Sequence, residues 1–64
     1  MSKVMDEIHI GHIVILRLDE LPAVRYTRFI IDGKTYTPVP ILDAENCIAF
    51  ESTDRFLSKT VTFL

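Results

Sequence analysis

Sixty-four residues leave room for a single small domain over 1–64 and for no second core. A hydrophobic content of 48% excludes a disordered chain, and a formal charge of −2 argues against a non-specific nucleic-acid binder, which is normally basic. A chain this short buries only about 60% of the surface its unfolded form exposes, so its apolar side chains must either pack very efficiently or be shared with a partner.

In chain order, residues 1–6 are polar enough to predict a frayed, disordered start. They contain no apolar segment of the signal-peptide kind, so a cytoplasmic location is expected. Ile8 to Leu18 is rich in β-branched residues and predicts the longest strand, with a bend or bulge at Gly11. Its even positions Ile8, Ile10, Val14, Leu16 and Leu18 share one face, while Ile13 and Ile15 share the other. Either the middle of that strand is buried on both sides, or a bulge at Gly11 shifts the register so that Ile8 and Ile10 line up with Ile13 and Ile15. Its longest apolar run, Ile13 to Leu16, is too short to span a bilayer.

A connection through Pro22 leads to Val24–Ile31, the first strand of a hairpin. Asp32-Gly33 is the favoured chemistry for a two-residue type I′ turn, in which both residues need φ > 0. That turn sets the register: Ile31 opposite Lys34, Ile30 opposite Thr35, Phe29 opposite Tyr36 and Arg28 opposite Thr37. In this register the amides of even residues on the second strand point toward the first. Pro38 and Pro40 fall on that series with no N–H to give, so pairing should stop near Thr37. The Val39 and Ile41 amides are then free for a different neighbour.

Asp43–Asn46 reads as a turn and Cys47–Phe50 as a short strand, with Ile48 and Phe50 on one face. Ser52-Thr53-Asp54 is N-cap chemistry and predicts one short helical turn. Thr60–Phe63 alternates polar and apolar residues and predicts a terminal strand, with no charge after Lys59. That strand must be covered, by closing against the N-terminal strand or by pairing with a second copy. The expected fold is all-β with five strands, either a small SH3-like barrel or an open antiparallel meander. The barrel is a fold analogy from the order of elements, with no motif behind it.

Candidate chemistry is sparse. His9 and His12 are three apart on an expected strand, so they point to opposite faces and converge on a metal only if Gly11 bulges. His9 is read as a surface side chain and His12 as a partly buried, hydrogen-bonded one. Cys47 is a small buried hydrophobe without an activating neighbour. No nucleophile–base spacing, carboxylate pair or phosphate-cradling glycine loop stands out, so no catalytic, metal or cofactor residue is assigned.

The function expected is a non-catalytic binding or assembly module acting through protein contacts, with a foreign protein or a second copy as partner and no membrane. The alternative is a nucleic-acid-binding barrel that uses Arg25, Tyr26, Arg28, Lys34 and Tyr36, where basic and aromatic residues interleave on the hairpin.

Overall fold

The computed structural model describes residues 2–22, 25–40 and 45–64. Six antiparallel strands form one open sheet: β1 (Ser2–Ile10), β2 (Ile13–Leu18), β3 (Phe29–Ile31), β4 (Lys34–Tyr36), β5 (Cys47–Glu51) and β6 (Thr60–Phe63). Their order across the sheet is β4-β3-β6-β1-β2-β5. The all-β expectation holds, with six strands where five were expected.

The Asp32-Gly33 turn has the expected geometry, with φ of 57° at Asp32 and 80° at Gly33. The three pairs from Phe29↔Tyr36 to Ile31↔Lys34 match the sequence register, and the ladder stops at Tyr36, one pair earlier than expected. The strand leading into the turn is also shorter than expected, beginning at Phe29, since Arg25–Arg28 lie outside any strand. Freed from β3, the Val39 amide donates to the Ala49 carbonyl of β5 at 2.8 Å. The chain therefore leaves one edge of the sheet and reaches the other, which curls the six strands around a common core. Val24, Ile41 and the first half of the Asp43–Asn46 turn lie outside the described residues.

Residues 8–18 are not one strand. Gly11 takes φ of 60° and reverses the chain with His12, so Ile8 pairs with Ile15 and Ile10 with Ile13. Glycine at the first central position is the type II′ arrangement that suits a two-residue hairpin. The expected fraying of residues 1–6 is replaced by order over residues 2–6, because β1 starts at Ser2 and buries Val4; Met1 lies outside the described residues. Val4 donates its N–H to the Lys59 carbonyl, and Lys3 hydrogen-bonds Asp19 through both its N–H and its carbonyl.

A bulge sits between Val4 and Asp6, where two residues of β1 pass while β2 advances by one. It lies where β1 turns from β6, which pairs with Ser2 and Lys3, to run along β2 alone. A bulge bends a strand and increases its twist, which is what a corner between two halves of a sheet requires. Since side chains alternate with period 2, the extra residue also exchanges the two faces of everything after it. Val4 points into the core, and so do Glu7 and His9; Ile8 and Ile10 point out. They are 55% and 61% exposed.

The core gathers Val4, Val14, Leu16, Leu18, Phe29, Ile31, Ile48, Phe50, Phe56 and Val61. Aromatic rings knit its two halves: Phe50 lies 5.0 Å from Phe29, 4.6 Å from Tyr36 and 5.2 Å from Phe56. The terminal strand is covered internally, as β6 sits between β1 and β3 with Val61 fully buried.

Residues 52–59 form no helix, contrary to the N-cap reading. Their backbone donors are taken by other partners. Ser52 N–H goes to the His12 carbonyl, Phe56 N–H to Glu7 Oε2 and Ser58 N–H to the Val4 carbonyl, although Ser52 Oγ does accept the Asp54 N–H as a cap would and Lys59 N–H closes a turn on the Phe56 carbonyl. A single helical turn has too little cooperativity to compete with these. Among the described residues no helix is long and apolar enough to cross a membrane.

Candidate functional site

The five hairpin residues expected to bind nucleic acid do not form one surface. Tyr26 is half-buried against Phe63, with ring centroids 4.5 Å apart, and burial raises its pKa. Tyr36 is half-buried between Phe50 and Phe56. Both rings spend their faces on the core, which leaves little for a base to stack upon. Arg25 and Arg28 are exposed on the segment before β3, and the Arg28 carbonyl extends the ladder by accepting from Leu64 N–H. Lys34 stands apart, 3.8 Å from Asp54, in a cleft that also contains the Lys59–Asp32 pair at 2.6 Å. That mixed-charge cleft offers no uniform field to a phosphate backbone.

The histidine assignments are exchanged. His12 is exposed in the turn, whereas His9 lies on the inner side of β1 with its Nε2 3.1 Å from Glu7 Oε2. The same Glu7 oxygen accepts the Phe56 N–H at 3.0 Å, tying β1 to the 52–59 loop. Burial works to raise the Glu7 pKa. The hydrogen bonds from Phe56 and His9 and the charges of His9 and Arg55 outweigh it, so the carboxyl is held below its ordinary value of 4.5. This carboxylate acts as a latch for the loop. Among the described residues no three His, Cys, Asp or Glu side chains gather where a metal could sit.

The surface that stands out is the outer face of the β1–β2 hairpin, with β5 beside it. The register arranges it in three rows across the strands: Asp6–Arg17–Cys47, Ile8–Ile15–Ala49 and Ile10–Ile13–Glu51, of which Ala49 is itself fully buried. Ile13 and Ile15 are half-buried, and a small groove of about 90 Å³ runs between the first two rows. Met5, in the bulge, is half-exposed beside Asp6. Cys47 is half-buried here rather than in the core. No protein-family model, curated protein or solved structure matches this chain.

The alignment of Ile8 and Ile10 with Ile13 and Ile15, expected from a bulge at Gly11, is produced instead by a turn there; a regular single strand would have placed Ile8 and Ile10 with the core residues Val14, Leu16 and Leu18. Two signals in the sequence could have exposed the turn. An eleven-residue strand would be about twice the usual length of 5–6, and the glycine sits between two runs of equal character, as in a hairpin.

Proposed function

We propose that this chain is a non-catalytic protein-binding module, an SH3-like barrel working in the cytoplasm, whose contact surface is the outer face of β1 and β2. One observation carries the reading: Ile8 and Ile10 stand more than half exposed on a regular ladder, while the inner positions beside them hold Glu7 and His9. Apolar side chains outside and ionisable ones inside reverse the ordinary pattern of a strand, and such local conflicts concentrate at functional surfaces. Covering Ile8 and Ile10 would recover on the order of 1 kcal/mol each. Ile13 and Ile15 beside them make the patch continuous, as interaction surfaces are. The nucleic-acid reading lacks such support, since its aromatic residues are engaged in the core.

A photo-activated cross-linking residue at position 10 tests the proposal, with one at Thr35 on the far edge strand as control. Adducts to protein from position 10 and none from position 35 are expected in cells expressing the chain. Equal or absent labelling at the two positions would remove the assignment of this face.

A further inference from the structure

We infer that the protein covering this face is a second copy of the same chain, packed face to face about a two-fold axis that runs along the β1–β2 hairpin. The inference rests on the assignment of the face as a protein-binding surface and adds its occupant.

The rows themselves are self-complementary. A two-fold axis lying between β1 and β2, parallel to the strands, sets β1 of one copy over β2 of the other and keeps each row at its own height. Ile8 then meets the partner copy's β2 in the row of Ile15, and Ile10 meets it in the row of Ile13. In the remaining row, Asp6 of each copy comes over Arg17 of the other. Every contact occurs twice, as an isologous interface requires. Sheets stacked in this way lie about 10 Å apart with their strands within about 30° of alignment.

The charges single out this partner. Asp6 and Arg17 are cross-strand neighbours on the outer face, yet neither forms an ion pair with any of the described residues. Asp6 Oδ1 only accepts the Glu7 N–H. One acidic and one basic group in a single row, on the two strands that exchange places under the axis, is the pattern a two-fold mate satisfies completely. A foreign partner would have to supply the same pair in reverse.

Charge exchange tests the geometry. Asp6→Arg places two positive groups in the row, and Arg17→Asp places two negative ones; both sites are exposed, and circular dichroism verifies that each variant folds. Light scattering from micromolar to millimolar concentration should show the wild type passing from monomer to dimer. Each variant alone should associate at least about tenfold more weakly. Mixed in equal amounts they should recover the wild-type affinity, because each positive pair then faces a negative pair across the axis. Intrachain repulsion is unchanged by mixing, so recovery reports the contact between copies alone. Ile10→Lys should give a folded monomer at every concentration. A wild type that stays monomeric to millimolar concentration overturns the inference, as does a dimer that the mixture fails to restore. If the monomer still cross-links from position 10 to another protein, the second copy is refuted while the binding face stands.

Discussion

Removing the Glu7 carboxylate should loosen the 52–59 loop and lower the stability of the whole chain. Glu7 Oε2 is the acceptor for Phe56 N–H at 3.0 Å and lies 3.1 Å from His9 Nε2, with the Glu7 side chain only 11% exposed. Glu7→Ala leaves the amide of a buried phenylalanine without its acceptor, at a cost of about 1.5–3 kcal/mol for a hydrogen bond to a charged group. A 64-residue domain has roughly 3–10 kcal/mol in total, so this is a large share. With a urea m-value of about 1 kcal/mol/M for so small a protein, the midpoint should fall by about 1.5–3 M. Glu7→Gln keeps a carbonyl for Phe56 and should lose about half as much. The pH dependence has a definite sign. The folded-state pKa is lowered, so the stabilisation is complete above the ordinary value of 4.5 and is lost as pH falls through the folded value. Urea titrations at neutral and acidic pH should show wild type and Glu7→Gln converging in acid. Equal midpoints for wild type and Glu7→Ala at neutral pH, or parallel pH profiles for wild type and Glu7→Gln, would refute the latch.

Gly33→Ala should destabilise by about 1–2 kcal/mol in thermal or urea unfolding. A methyl there meets nothing within 4 Å, so the cost is the φ of 80° alone, and unchanged stability would exclude the type I′ turn. In hydrogen exchange, the amides of Val61–Phe63 that face β1 or β3 should be among the slowest, and the Val39 amide should be protected; fast exchange at Val39 would mean the two sheet edges are not bridged. Single-stranded oligonucleotides should shift no amide signals at Arg25, Arg28 or Lys34, and salt-sensitive shifts there would revive the nucleic-acid reading.

The parts of this fold that were legible in the sequence are those encoded by neighbouring residues. Asp32-Gly33 sets its own turn and therefore the pairing of Phe29 with Tyr36. Pro38 and Pro40 end that pairing for want of an N–H, and the Val39 amide, which the register leaves free for another neighbour, finds it in β5. The alternation in Thr60–Phe63 marks β6, although its position between β1 and β3 comes only from closure of the sheet. What escaped was set by long-range competition. The Gly11-His12 turn pairs Ile8 with Ile15 and Ile10 with Ile13 and so sets them opposite Val14 and Leu16, while no residue type demands the bulge at Met5 that lets Val4 still face the core. The helical turn failed because Glu7, 49 positions away, takes the Phe56 amide. The candidate surface depends on the Gly11-His12 turn and on the closure of the sheet around it, whereas the Asp32-Gly33 hairpin is written in adjacent residues.

Ile8 and Ile10 point away from the core, and the stability of the double variant Ile8→Thr/Ile10→Thr reports that orientation. Measured by urea unfolding at concentrations low enough to keep the wild type monomeric, the pair should cost less than about 1.5 kcal/mol, since threonine suits an exposed strand and both sites are already more than half solvated. Were the two isoleucines in the core, losing their burial and inserting two hydroxyls would cost at least about 4 kcal/mol, and a chain that unfolds on this change would contradict the account.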